Sequence, residues 1–316
     1  MLLPFSIAPR GSRPFDVVTL GLNSVDMVAV VPHYPTRNGK QPLAQFSRLP
    51  GGQMATAAVA CARLGWQARY IGAFGVDDLG AFGRQSLTAE GVDLSASWDV
   101  PGATSQFAVV IVDESTGDRT VLWNRHPNLK MRPDQVQASA VTSGRMVLVD
   151  CHETAAATEA ARLARAAGIP TVLDVERVCD GTSELLAQID VIIAAEAFPR
   201  ALTGYDDPGR ALHAMSREYG TPVVAVTLGA DGSLAVCEGR EIRSPGFQVQ
   251  CVDSTGAGDA FHGGFVAACL RDPHGTLEHA LACANAIAAL NCRGLGARGG
   301  LPTFDEVDAL MAGSRG

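Results

Sequence analysis

The sequence predicts an α/β fold: a three-layer sandwich with a mostly parallel central sheet, helices on both faces and a small β lid. Three observations carry this. Past residue 140, apolar runs at 146–149, 171–174, 190–194 and 223–227 alternate with helical stretches. Those runs are apolar at consecutive positions, as in strands covered on both faces. Two segments, about 27–50 and 104–125, break the alternation with polar and hairpin-like sequence, which sets them apart as a lid.

Residues 1–15 read as a loose arm. Residues 16–22 (DVVTLGL) form a buried strand. A second apolar run, 27–31, precedes polar sequence with Pro35, Gly39 and Pro42. Ala-rich sequence with apolar positions at helical spacing makes 54–64 a helix. Residues 68–73 are a strand, and 79–90 a helix capped by Asp77 and Asp78. Runs at 107–112 and 120–123 flank DESTGDR, a hairpin with Gly117 at its turn. Further helices are expected at 155–167, 209–219 and 276–291. No repeat or linker divides the chain, so residues 1–316 are expected to form one domain.

Hydrophobic residues make up 47% of the 316, which excludes a disordered chain. The formal net charge of -8 argues against a partner that is nucleic acid or an anionic membrane. The 8 cysteines contain no CxxC pair and lie in apolar runs, so they read as small buried residues of a reducing cytosol. The N-terminus lacks a basic region and is broken by Pro4 and Pro9, unlike a signal peptide. The longest apolar candidate, 279–292, is too short to span a bilayer. A cytoplasmic protein is expected.

The most informative segment is VDSTGAGDAF at 252–261. Gly256 and Gly258 flank Ala257, and a helix follows at once. Such glycines let successive backbone N–H groups converge, and the helix adds the positive end of its dipole. The product is an anion cradle that needs no cationic side chain. Asp259 stands beside it. On the residues alone two roles stay open for Asp259, acceptor of a proton from an attacking hydroxyl or ordinary helix cap.

DSTGAGD, 253–259, resembles the C-terminal signature of the ribokinase-like (PfkB) carbohydrate kinases, often written DTTGAGD, with Ser254 for the first Thr. Other segments resemble the family in order. GGQMATAA at 51–58 runs into the helix that ends in RLG, and IGAFGVDDLG at 71–80 precedes GVD at 91–93. TLGADG at 227–232 is similar to its nucleotide segment, and CRGLGARGGLP at 292–302 to its closing loop. The matches run from about residue 16 to 305.

The resemblance implies a ribokinase-like fold and ATP-dependent phosphorylation of a primary hydroxyl of a small sugar. It implies Asp259 as base, with Gly256, Ala257 and Gly258 completing the anion hole. Asp26, Gly51, Gly52, Gln53 and Thr56 are implied as substrate-binding. Gln53 and Thr56 stand where relatives often carry Lys or Asn, and Asn. Thr227, Gly229, Gly232 and Asn285 are implied for the nucleotide, and Asp253 and Thr255 for a monovalent cation such as K⁺. The cofactors are then ATP and Mg²⁺. The family's Asn-x-x-Glu motif is missing: Ala195 and Phe198 occupy its two positions, with Glu196 off register. Magnesium is therefore expected to be held through water and ATP phosphates.

At the carboxyl end of the strand 146–149, Asp150, His152 and Glu153 are further sugar-contact candidates. Arg119 and Arg125, in or beside the lid hairpin, either read an anionic group or are solvated strand positions. GLGARG at 294–299 spells GxGxxG but lacks the preceding strand and the later acidic residue of a dinucleotide fold. A nucleoside kinase of the same fold and a non-catalytic sugar-binding descendant are the alternatives. Asp259 in an intact cradle argues against the second. Exposed lid edges could pair two subunits into a homodimer.

Overall fold

The computed structural model describes residues 1–313. In chain order the strands and helices are β1 (Phe15–Leu20), β2 (Ser24–Val31), β3 (Gln45–Gly51), α1 (Gln53–Arg63), β4 (Ala68–Ile71), β5 (Ala73–Gly75), α2 (Asp78–Ala89), β6 (Trp98–Val100), β7 (Phe107–Asp113), β8 (Arg119–Asn124), α3 (Ala138–Val141), β9 (Gly144–Asp150), α4 (Thr154–Ala166), β10 (Thr171–Val175), α5 (Thr182–Leu186), β11 (Val191–Ala194), α6 (Ala197–Thr203), α7 (Pro208–Tyr219), β12 (Val223–Thr227), β13 (Ser233–Cys237), β14 (Arg240–Ser244), α8 (Ala257–Arg271), α9 (Leu277–Asn291) and α10 (Phe304–Gly313).

Eight strands form the main sheet in the order β14-β13-β12-β11-β10-β9-β1-β4. The pairs from β4 to β12 are parallel, and β13 and β14 add an antiparallel edge. Strand alternation sorts the side chains into two layers. Val17, Leu148, Val172, Ile193 and Ala225 face one core, which α1, α8 and α9 cover. Val18, Val149, Leu173, Ile192 and Val224 face the other, which α4 and α7 cover. This double burial is why the strands read as unbroken apolar runs.

The segments set apart from the alternation supply the four strands of a second sheet, β3-β2-β7-β8. Val28, Ala108, Val110 and Val112 form its own small core.

Several boundaries differ from the sequence reading. The strand expected at 68–73 divides at Gly72: β4 joins the main sheet, whereas β5 pairs with β6. A side chain at Gly72 would overlap the Tyr70 ring. β3 lies inside the polar stretch and was hidden by its exposed residues. The β13–β14 hairpin turns on Glu238 and Gly239, both at positive φ (49° and 73°), the geometry of a tight two-residue turn. Asp77 caps α2 as expected, accepting from the Gly80 N–H at 2.8 Å. All eight cysteines are free, but Cys251 is exposed and Cys179 and Cys292 are half-buried, so the expectation of uniform burial fails at those three. No helix among the described residues is long and apolar enough to cross a membrane.

Candidate active site

From β1 the chain goes on to β4 on one side, while β9 leads to β10 on the other. Ligands of open α/β sheets gather at the carboxyl ends beside such a reversal. Asp150, at the end of β9, fastens this point: its carboxylate accepts from the Leu22 N–H at 2.6 Å and the His152 N–H at 3.0 Å. Burial holds it above the usual carboxylate range. Asp150 thus serves the turn after β1 and does not line the cavity. Glu153 is also buried, paired with Arg125 and accepting from the Met131 N–H.

A cavity of about 250 Å³ opens above this point, with Asp26, Gly52, Gln53, His152, Arg177 and Asp259 in its wall. Asp26 projects from β2, and its Oδ1 accepts from Ser24 Oγ at 2.9 Å. Burial pushes its pKa up to about 6, against the Ser24 bond and the Arg298 charge. Gly51 must be glycine here, because a Cβ would overlap the Asp26 carboxylate. Gly52, at φ 89°, turns the chain into α1. Gln53 reaches Glu176 Oε2 at 3.4 Å, and its own Oε1 is buried without a partner. Thr56 is not at the cavity: it is fully buried, and its hydroxyl accepts from Arg298 Nε at 3.3 Å.

The cradle forms at the start of α8. Gly256, at φ 75°, is its N-cap, and a Cβ there would overlap the Ala297 backbone. The Ala260 N–H bonds the Gly256 carbonyl. That leaves the Gly258 and Asp259 amides among the helix-end donors without helical partners. Desolvation pushes the pKa of Asp259 up to about 7, with the nearby Asp174 adding to the rise and His262 and Arg119 opposing it.

A second cavity, about 390 Å³, lies across the cradle. Thr227, Gly229, Gly232 and Asn285 all line it. Asn285 is mainly a fastener, donating to Ser233 Oγ at 3.1 Å and Ser244 Oγ at 3.0 Å. The cradle divides its residues between the two spaces. Ser254, Ala257 and Gly258 face the larger cavity; Thr255, Gly256 and Asp259 face the smaller.

Asp253 is fully buried, and its carboxylate accepts from the Thr255 N–H at 2.8 Å, the Thr255 hydroxyl at 2.6 Å and the Gly296 N–H at 2.8 Å. These bonds clamp the loop before the cradle to the C-terminal loop. Among the described residues, no three His, Cys, Asp or Glu side chains are grouped to hold a metal ion. Phe198 is buried and Glu196 exposed.

Arg119 reaches Ser254 Oγ at 2.9 Å and lines the smaller cavity, so it is not merely a solvated strand position. Sequence reasoning missed Glu176, Arg177 and Arg298. The first two follow the end of β10, where the rule applied to β9 would have found them. Glu176 lies 3.1 Å from His152 Nε2, and Arg177 lies 2.8 Å from His152 Nδ1. Arg298 lies in the 292–302 segment that resembles the family's closing loop, but that resemblance gave it no role.

The family model for pfkB family carbohydrate kinases matches residues 15–304. The chain is 31% identical over 298 residues to the ATP-dependent ribose-1-phosphate kinase of Halopiger xanaduensis, covering 94% of this chain and 98% of that one. It is 30% identical over 300 residues to the ribokinase of Haemophilus influenzae, covering 92% and 96%. The structure of Arabidopsis thaliana ribokinase complexed with ribose and ATP superposes with a TM-score of 0.77 at 25% identity, covering 94% of this chain and 98% of that one. On these grounds the protein belongs to the pfkB family of carbohydrate kinases.

Proposed function

We propose that this enzyme transfers the γ-phosphoryl group of ATP to a primary hydroxyl of a small sugar. The supporting observation is the cradle shared by two cavities, with the carboxylate of Asp259 on the smaller side. ATP occupies the larger space, its base near Thr227, Gly229, Gly232 and Asn285. The sugar occupies the smaller, and the relatives named above include enzymes named for ribose and for a ribose phosphate.

In this reading Asp26, Gln53 and the Gly51–Gly52 backbone orient the sugar. An ionised carboxylate accepts two hydroxyl bonds and suits a vicinal diol. The four-stranded sheet acts as a lid whose Arg119, Val121 and Trp123 close the smaller cavity. Asp259 takes the hydroxyl proton as the oxygen attacks phosphorus in line, and the 256–259 amides hold the charge that develops. Mg²⁺ carried in with ATP would supply charge neutralisation at the phosphates. Asp253 and Thr255 are the proposed neighbours of a monovalent cation, through the loop they brace. The exposed Phe46 and Leu122 of the lid are the proposed surface for pairing two copies, which sedimentation would reveal.

A coupled ATP-to-ADP assay against ribose, fructose, ribose 1-phosphate, sugar acids and nucleosides tests the reading, with Asp259→Asn as control. Turnover on a sugar, lost by about 10²–10⁴-fold in the variant, supports it. Turnover on nucleosides alone would reassign the acceptor, and an undiminished Asp259→Asn rate would remove the base.

A further inference from the structure

The C-terminal loop holds a buried cation for which the reaction above has no use. Arg298 is 6% exposed and lines neither cavity. Its hydrogen bonds go to neutral oxygens: the Gly51 carbonyl at 2.9 Å, Thr56 Oγ1 at 3.3 Å and Ser86 Oγ at 3.3 Å. A guanidinium removed from water with only neutral partners is costly, so some other gain must hold it there. Desolvation lowers its pKa to about 10, which leaves it charged at neutral pH.

Its surroundings identify the gain. Asp26, Glu90 and Asp259 are the carboxylates that favour its charge, and Arg63 opposes it. Around Asp26 itself stand the Ser24 hydroxyl on the same strand, Arg298 from the C-terminal loop, and Asp253, whose charge opposes ionisation. Gly51, whose carbonyl Arg298 holds, packs directly on the Asp26 carboxylate. The preceding residue, Ala297, packs on Gly256 of the cradle, and its carbonyl accepts from Asn291 Nδ2 at 3.0 Å. Two successive residues of one loop therefore grip the two ends of the site.

We propose that Arg298 is a positioning residue for acceptor binding: it fixes the Gly51 carbonyl, stands as the cation behind the Gly51–Gly52 edge on which the Asp26 carboxylate packs, and ties that edge to the anion cradle. This rests on the reading of Asp26 as the carboxylate that holds the sugar.

Arg298→Gln, Arg298→Lys and Asp26→Asn are compared in the coupled assay with ribose and ribose 1-phosphate. The Asp26 carboxyl is followed by carbon-13 NMR titration in the wild type and both Arg298 variants. In Arg298→Gln the acceptor KM rises about tenfold while the ATP KM hardly changes. The Asp26 titration moves up by about one pH unit. Arg298→Lys, which keeps the charge but not the fork, restores the titration and only part of the affinity. An unmoved Asp26 titration in Arg298→Gln assigns a merely structural role and overturns the proposal, as does a parallel loss for both substrates. If Arg298→Gln does not fold, Arg298→Lys decides: a raised acceptor KM with an unmoved titration supports the proposal, and wild-type KM overturns it. If neither sugar is turned over, the Asp26 titration in Arg298→Gln decides by itself, because it needs no acceptor. Asp26→Asn with an unchanged acceptor KM is a separate failure, that of Asp26 as the sugar-holding group.

Discussion

His262 Nε2 lies 3.5 Å from Asp174 Oδ1, beneath the first turn of α8. The other ring nitrogen meets the Gly258 carbonyl at 2.6 Å, so the imidazole links the end of β10 to the cradle. Burial raises the Asp174 pKa well above the usual carboxylate range, and the charge of Asp174 in turn raises Asp259.

A base must be ionised to take a proton, so activity should be present above the pKa of Asp259 and lost below it. We expect kcat/KM, which reports the free enzyme, to fall as pH drops through about 7. Asp174 and Asp259 are neighbouring buried carboxyls that titrate as a pair, so Asp174→Asn should move that limb to lower pH. Paired pH–rate profiles check this, and an unmoved limb rejects the coupling.

The same raised carboxylates set a stability trend. Asp26 and Asp259 hold their protons more tightly folded than unfolded, up to about 6 and about 7. Their contribution is complete below the unfolded value and is lost as pH rises through the folded one. For Asp26 the difference is of order 3 kcal/mol. Urea midpoints should therefore fall between pH 5 and pH 8, and fall less in Asp26→Asn. A flat profile in the wild type would contradict the burial argument.

Gly51→Ala and Gly256→Ala perturb the acceptor edge and the cradle in different ways. The first places a methyl on the Asp26 carboxylate, and should raise the acceptor KM at least about tenfold with little change for ATP. The second forces a non-glycine residue to φ 75° and against the Ala297 backbone. It should cost about 1–3 kcal/mol of stability and, by shifting the cradle that both cavities share, weaken binding of acceptor and ATP alike. Thermal unfolding and calorimetric ATP titration read these outcomes.

Far from the site, Arg145 and Asp16 form a buried ion pair at 2.8 Å, and Arg145 Nε also donates to the Ala8 carbonyl at 2.7 Å. Asp16→Asn leaves that guanidinium uncompensated and should destabilise the fold by about 3–5 kcal/mol without altering either KM. Urea unfolding beside the kinetic assay measures both.

The parallel strands and the cradle were legible because their signals are local: apolar runs buried on both faces, and glycines at fixed spacing ahead of a helix. β3 was not legible, because an exposed edge strand carries few apolar residues. The β13–β14 hairpin was legible in principle from Glu238–Gly239 between short alternating runs. Thr56 was placed in the site by analogy, yet Arg298 covers it from the C-terminal loop. The loop that carries Arg298 was legible, but its contact was not: Arg298 and Gly51 are 247 positions apart, and no periodicity records so distant a contact.

The anion cradle is made of main chain, and this decides how it can be perturbed. Truncating Ser254 or Thr255 to alanine leaves every one of its donors in place, so such variants would report side-chain contacts and pass over the groups that face the phosphates. Only added bulk or a change to the amide itself reaches them. Replacing the amide at 258 or 259 with an ester removes one donor and leaves the shape almost unaltered.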